Sequence, residues 1–329
     1  MTSDKAVGIL GTGSAVPEKV LTNFDLEQMV ETSDEWIKAR TGILERRIAK
    51  PGEAASDLSV KAAELALSRA QVEPKEIDAV IVATFTQDTL CPSTACFVQH
   101  RLGMNSAFAF DLNAACTGFI YGLSTARAYI RTGLIKKALV IGVDMLSKVT
   151  DYEDRTTCVL FGDAAGAAVV GEVPDNQGII AEYLDADGKY ADLIIVPGGG
   201  SRLPASEETV KQRQHYVKMK GNEVFKVAVR IMADAVFEAL RRCDKQPEDL
   251  SLVIPHQANV RIIEASARRL GLDMDRFYMN IDRYGNTSAA SVPVALDEAL
   301  SNGRIKKGDL IALVAFGGGF TWGATIIKW

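Results

Sequence analysis

The same α/β unit is written twice in this chain, and that repetition limits the possible folds more than any other feature. Pro74-Lys-Glu-Ile77-Asp-Ala-Val80-Ile81 matches Pro247-Glu-Asp-Leu250-Ser-Leu-Val253-Ile254 at an offset of 173 (247 − 74). Gly133-Leu-Ile-Lys-Lys137, before the apolar run Ala138–Val143, matches Gly303-Arg-Ile-Lys-Lys307, before Leu310–Val314, at an offset of 170 (303 − 133). Two matches in the same order at nearly equal offsets predict two pseudo-symmetric α/β halves, 1–173 and 174–329. Turn-forming Pro174, Asp175 and Asn176, within Gly171–Gln177, mark the join.

Within each half, short apolar runs alternate with helical patterns, which predicts mostly parallel or mixed sheets buried on both faces. Strands are expected near Val7–Leu10, Ala79–Ala83, Ala107–Phe110, Leu139–Val143 and Ala167–Val170, then near Ile179–Tyr183, Leu252–Ile254, Leu310–Val314 and Thr325–Ile327. Thr32-x-x-Glu35 reads as a capping box opening the helix that carries Trp36 and Arg40. Ser56–Ala70, Asn222–Arg242, Val260–Leu270 and Val292–Leu300 read as further helices.

Among 329 residues, 37 Lys and Arg stand against 42 Asp and Glu, a net charge of −5. This gives no global electrostatic case for binding nucleic acid or an anionic membrane, so any basic docking site must be local. Five cysteines (Cys91, Cys96, Cys116, Cys158, Cys243) without a C-x-x-C pair support neither a disulfide framework nor a zinc ribbon and point to a reducing cytoplasm. The N-terminal apolar run Val7–Leu10 is too short for a signal-peptide core. Leu310–Ile327, 18 residues without a charge, reaches the lower limit for a membrane span. Gly317, Gly318, Gly319 and Gly323 interrupt it, and two buried strands joined by a glycine turn fit it better.

Gly11-Thr-Gly13 follows a strand but lacks the third glycine of a dinucleotide fingerprint, and no Walker A loop, G-x-S-x-G elbow or H-E-x-x-H occurs. His100, His215 and His256 have no metal-ligand spacing, so neither metal nor cofactor is expected. Cys116 lies between an apolar strand and a helix, where the helix dipole and free N–H groups favour thiolate. Position alone nevertheless favours a small buried hydrophobe, the commonest fate of a free cysteine. His256 stands at the end of the strand Leu252–Ile254, and 256 − 173 places its counterpart at residue 83, another strand end. Asn286 maps by the second offset onto residue 116 itself (286 − 170). A Cys, a His and an Asn at pseudo-symmetric strand ends, where ligands of open α/β sheets gather, point to nucleophilic catalysis. Gly317-Gly-Gly319 serves equally as a tight turn or as a presenter of backbone N–H groups to an oxyanion.

Taken together, Asp111-Leu-Asn-Ala-Ala-Cys116-Thr-Gly-Phe, His256-Gln-Ala-Asn259, Gly285-Asn286-Thr-Ser-Ala-Ala-Ser and Phe316-Gly-Gly-Gly-Phe-Thr-Trp-Gly323 resemble the β-ketoacyl-acyl-carrier-protein synthase III family. The resemblance runs from Val7 to Trp329 and implies a thiolase-like α/β fold of two pseudo-symmetric halves with buried central helices. It implies a homodimer whose substrates are acyl-CoA and malonyl-acyl-carrier-protein. It further implies Cys116 as the acylated nucleophile, His256 and Asn286 as donors to the malonyl thioester carbonyl, and the N–H groups of Cys116 and Gly318 as an oxyanion hole.

Residue by residue, Trp36, Arg40, Arg155, Gly221, Asn222, Phe225, Ala228, Asn259 and Arg261 fall on family positions of the CoA and phosphopantetheine tunnel. Cys91, Phe161, Met232 and Phe316 are expected at the acyl pocket, Cys91 by reaching across the dimer. Thr156 departs from the glycine of many relatives. Lys226, Arg230, Arg261, Arg268 and Arg269 form a local basic face suited to an acidic carrier protein. Other readings are an acyltransferase of secondary metabolism, a cysteine thioesterase and an acyl-binding relative. A degradative thiolase would need a second cysteine beyond Cys243, and a hydroxymethylglutaryl-CoA-synthase-like enzyme a carboxylate for which Asp88 is the near candidate.

Overall fold

Nine apolar runs form the strands of two central sheets, one of five strands and one of four. The computed structural model describes residues 5–329. Its first half contains β1 (Val7–Ala15), β2 (Lys19–Thr22), β3 (Glu45–Ile48), β4 (Ala79–Ala83), β5 (Phe108–Leu112), β6 (Ala138–Met145) and β7 (Asp163–Glu172), with helices α1 (Asn23–Glu27), α2 (Asp34–Thr41), α3 (Ala55–Ala70), α4 (Thr94–Arg101) and α5 (Gly118–Arg131). The second contains β8 (Gly178–Ala186), β9 (Ile194–Ile195), β10 (Lys218–Met219), β11 (Leu252–Pro255), β12 (Leu310–Gly317) and β13 (Thr321–Lys328), with α6 (Glu207–Lys211), α7 (Gly221–Arg241), α8 (Val260–Leu270), α9 (Ile281–Tyr284) and α10 (Ser291–Ser301).

The sheets repeat one topology, β1-β7-β6-β4-β5 and β8-β13-β12-β11. A lone parallel bridge from Val253 to Phe277 stands where the second sheet would have its fifth strand. Both sheets are mixed. β4 runs parallel to β5 and β6, and β11 to β12, while β1, β7, β8 and β13 pair antiparallel. Only Gly318–Phe320 connects β12 to β13, too short for a parallel crossover. The uncharged segment Leu310–Ile327 is this buried hairpin, and no helix among the described residues is long and apolar enough to cross a membrane.

Register fixes the repeat at one offset. Ala79 pairs with Ala138, and Leu252 with Ile311, each 173 residues on (252 − 79 and 311 − 138). The offset of 170 is therefore local to the loop before the strand. Gly308, Asp309 and Leu310 separate Lys307 from Ile311 in the second half, whereas Lys137 leads directly into its counterpart Ala138.

Helices α5 and α10 lie between the sheets, α3 and α4 cover the outer face of the first, and α7 and α8 cover the second. Ile81, Phe119, Leu123 and Val140 from the first half share one buried cluster with Ile254, Val292, Leu296 and Leu313 from the second. The interior is thus common to both halves. Close approach across it requires Gly142, where an added Cβ would lie 2.2 Å from the Ala289 carbonyl oxygen.

The α2 cap lies one residue later than expected. Ser33 has extended backbone, and its hydroxyl accepts from the Trp36 N–H at 3.2 Å, so Thr32 precedes the cap. β2 and β3 pair as a two-stranded antiparallel sheet across the intervening α1 and α2, a pairing that the apolar runs do not mark. Arg46 of β3 is fully buried and donates to the Leu21 carbonyl, Asn23 Oδ1 and the Val159 carbonyl. Burial lowers its pKa to about 10, with Glu45 and Asp25 opposing that shift only weakly.

Candidate active site

Cys116 occupies the 3₁₀ turn Ala115–Thr117 between β5 and α5. Ala115 adopts φ +46°, and Asn113 Oδ1 accepts from its N–H at 3.2 Å. Gly317 closes against this turn, since a Cβ there would lie 2.6 Å from the Cys116 nitrogen.

Burial pushes the Cys116 thiol up to about 12 from 9.0. A rise of that size corresponds to ~4 kcal/mol against the thiolate. A helix N-terminus returns only ~0.3–2 kcal/mol. Burial wins, and the resting group is the thiol rather than the thiolate that the helix dipole favours. Ser288 sits beside both this thiol and Asp144, a buried carboxylate accepting from Thr84 Oγ1, the Phe85 N–H, Thr86 Oγ1 and the Ala289 N–H. Asp144 thereby ties the end of β4 to the turn before α10.

His256 follows β11 directly and is 1% exposed. Its ring packs edge-on against Phe316, with centroids 5.4 Å apart, and its Nδ1 lies 2.6 Å from Ser291 Oγ. Burial lowers its pKa to about 3, so the ring is neutral at physiological pH. The Asn286 backbone donates to the Leu160 carbonyl at 2.8 Å and accepts from the Gly162 N–H at 3.0 Å. Its Oδ1 accepts from the Ser288 N–H at 2.8 Å, which leaves Nδ2 to donate elsewhere.

Cys116, His256 and Asn286 line one cavity of about 1380 Å³, together with Phe161, Phe316 and Gly318. The turn Ser288–Ala290 before α10 duplicates Ala115–Thr117 before α5, with φ +51° at Ser288. The backbone counterpart of Cys116 is therefore Ala289 (289 − 173), not Asn286 as the local offset had it.

Of the tunnel positions, Trp36, Arg40, Gly221, Asn222, Phe225, Asn259 and Arg261 line the same cavity, and so does Lys226. Asn259 caps α8 through the Arg261 N–H and donates to the Arg40 carbonyl, fastening α2 to α8. The Arg261 guanidinium lies 5.5 Å from the Phe225 ring centroid. Arg155 stands outside the lining, 5.9 Å from the Trp36 centroid, and donates to the Glu31 carbonyl. Its neighbour Thr156 does line the cavity and is held by the Asp154 carboxylate.

Two assignments require correction. Ala228 and Met232 lie on the face of α7 buried against the second sheet and are not part of the cavity wall. Apolar walls near the nucleophile come instead from Phe85, Leu146, Phe161, Ile194, Val196 and Val217. Gly198–Gly200 and His215 also line the cavity, whereas residues 201–214 do not. The sequence run Gly198-Gly-Gly200 was the available signal for that rim. Cys91 is exposed and off its own chain's cavity, which its neighbour Leu90 reaches. Arg269 is engaged by Asp234 at 2.7 Å, and Lys226, Arg230, Arg261 and Arg268 are exposed. Asp88 accepts from the Ser56 N–H and does not line the cavity.

A duplicated sheet-and-helix fold with a cysteine turn facing a neutral histidine and an asparagine defines a thiolase-like condensing enzyme. Residues 110–188 match the family 3-Oxoacyl-[acyl-carrier-protein (ACP)] synthase III, and residues 240–329 match 3-Oxoacyl-[acyl-carrier-protein (ACP)] synthase III C terminal. The chain is 57% identical to the Beta-ketoacyl-[acyl-carrier-protein] synthase III of Caldanaerobacter subterraneus subsp. tengcongensis, over 98% of each protein. It is 53% identical to that of Clostridioides difficile, also over 98% of each. The crystal structure of 3-oxoacyl-[acyl-carrier-protein] synthase III from Aquifex aeolicus matches at TM-score 0.91 and 48% identity, covering 98% of this chain and 100% of that one. The chain belongs to the β-ketoacyl-acyl-carrier-protein synthase III family.

Proposed function

We propose that the chain condenses an acyl-CoA, acetyl or longer, with malonyl-acyl-carrier-protein, giving 3-oxoacyl-acyl-carrier-protein, CO2 and CoA and so initiating fatty acid biosynthesis. The observation that carries this reading is the convergence of Cys116, His256 and Asn286 on one cavity from the strand ends and turns of both halves.

The Cys116 sulfur attacks the acyl-CoA carbonyl, and the departing CoA thiolate takes up the proton that Cys116 loses, so thioester exchange consumes none. The N–H groups of Cys116 and Gly318 receive the oxyanion of the tetrahedral intermediate. The malonyl thioester carbonyl then accepts from neutral His256 and from Asn286 Nδ2. As the carboxylate leaves as CO2, its bonding pair becomes an enolate whose charge these donors stabilise. The enolate carbon attacks the acyl-Cys116 carbonyl, and the expelled Cys116 thiolate takes a proton from solvent, the one proton that the overall condensation consumes. A thiol pKa near 12 favours that last step.

Trp36, Arg40, Arg155, Gly221, Asn222, Phe225, Asn259 and Arg261 are the residues we assign to CoA and phosphopantetheine, and Lys226, Arg230, Arg261 and Arg268 to the acidic carrier protein. The reaction needs no cofactor. We assign the protein to the cytoplasm, which five free cysteines support. A homodimer is supported by the open edge of β5, whose own Phe108 is 43% exposed. Intact-protein mass spectrometry after addition of acyl-CoA, then of malonyl carrier protein, tests the reaction. One acyl adduct that is absent from Cys116→Ala and discharged by malonyl carrier protein is expected; an adduct persisting on that variant overturns the assignment.

A further inference from the structure

We infer that Ser291 is a positioning residue that sets the tautomer of His256 and so makes this histidine a hydrogen-bond donor; the inference rests on the His256 role proposed above. Ser291 opens α10 from the second half of the repeat, is 1% exposed, and brings its Oγ to 2.6 Å from His256 Nδ1. Either atom can supply the proton of that bond, and the two choices give opposite chemistry at Nε2. If Nδ1 carries the proton, Nε2 is an acceptor and the histidine is a base. If Ser291 donates, Nε2 carries the proton and points a donor at the substrate.

The surroundings decide between them. Among the described residues, His256 Nδ1 is the only polar partner of the Ser291 hydroxyl. Were Nδ1 the donor, the buried serine proton would have no acceptor, and a buried donor left unpaired is costly. With Ser291 donating, every proton at this contact is placed. The imidazole does not offer two donors at once, because burial keeps it neutral. Phe316 packs edge-on against the ring and holds its plane, so the serine has only to choose the nitrogen.

The test uses ¹⁵N-histidine-labelled full-length protein, with His256 resonances identified by their loss in His256→Ala. Wild type is expected to show Nε2 protonated and Nδ1 unprotonated. In Ser291→Ala the two nitrogens should move toward intermediate shifts. That variant should keep its rate of Cys116 acylation while kcat for condensation falls ~10- to 100-fold, with KM for malonyl carrier protein little changed. Ser291→Thr, which keeps the hydroxyl, should restore both the shifts and kcat. Protonation of Nδ1 in wild type overturns the inference even where Ser291→Ala does not fold, and so do wild-type shifts and condensation in Ser291→Ala. Undiminished condensation by His256→Ala would instead remove the underlying histidine role, and the inference with it.

Discussion

Asn113 and Asn286 occupy the same place in the two halves, 173 residues apart (286 − 113), and make the same bond: each Oδ1 accepts the backbone N–H two residues on, Ala115 at 3.2 Å and Ser288 at 2.8 Å. Each bond braces a residue with positive φ, Ala115 at +46° and Ser288 at +51°, that starts the turn into a central helix. The duplicated unit therefore supplies a braced turn twice. One copy places a cysteine on the turn itself; the other offers the asparagine's free amide to the cavity. This division accounts for a site with one nucleophile although the backbone is nearly symmetric.

His256→Ala and Asn286→Ala should still accept an acyl group from acyl-CoA but lose condensation. Each removes one donor to developing enolate charge, and such a loss costs ~100- to 1,000-fold in rate. Acylation followed by mass and condensation followed by product release separate the half-reactions. Equal loss of both would contradict the division of roles.

Gly317→Ala tests the contact between the end of β12 and the nucleophile turn. The added methyl would lie 2.6 Å from the Cys116 nitrogen and 3.2 Å from its Cα, so the cysteine turn must move. Overpacking of this kind costs ~1–3 kcal/mol. A lowered Tm and slower acylation are expected, and wild-type acylation kinetics would show that the turn does not need this close approach.

His256 makes stability depend on pH in a definite direction. Its folded pKa of about 3 lies below the ordinary histidine value of 6.5, so the unfolded chain binds the extra proton between those values. Its neutral form is therefore compatible with the fold above pH 6.5, and stability is lost as pH falls from there toward 3, by as much as ~4–5 kcal/mol. In His256→Gln this contribution vanishes. The Tm of wild type minus that of the variant should fall progressively from pH 7 to pH 4; a constant difference would count against a buried neutral histidine.

Strand ends were legible because the repeat is written in the apolar runs and the turns after them, which is why residues 83, 116 and 256 could be brought to one face of the fold from sequence. The contact between His256 and Ser291 was not, because it depends on how α10 is rotated between the sheets. Met232 and Ala228 show a second limit. Helical spacing gives α7 an apolar face but does not distinguish a face against a sheet from one against a cavity. Arg46 shows a third: its partners, Leu21, Asn23 and Val159, come from distant segments and form no local pattern.

The basic face should govern docking of the acidic carrier protein. Arg261 lines the cavity mouth and Arg268 lies farther along α8, whereas Arg269 is already paired with Asp234. Reversing Arg261 and Arg268 to Glu should raise KM for malonyl carrier protein and flatten its dependence on ionic strength. Reversing Arg269 should do less. Kinetics unchanged by the double reversal would move the docking site elsewhere.

In the proposed homodimer, chain-length preference should depend on Cys91 reaching the partner's acyl pocket. The side chain is exposed on its own chain and stands beside Leu90, which reaches the cavity. Cysteine at this position is several heavy atoms smaller than phenylalanine. Met232 is packed in the core and residues 201–214 do not line the cavity, so neither fills the space left. The remaining walls, among them Leu146, Phe161 and Val217, are apolar. Each additional buried CH2 of a longer acyl group can contribute ~0.8 kcal/mol, so two to four offset the strain of fitting it. Butyryl-CoA should thus be accepted beside acetyl-CoA, and Cys91→Phe should narrow the range to acetyl. Comparing kcat/KM for acetyl-, butyryl- and octanoyl-CoA in both proteins decides the matter: a wild type confined to acetyl-CoA, or a Phe variant that keeps the full range, rules out this role for Cys91.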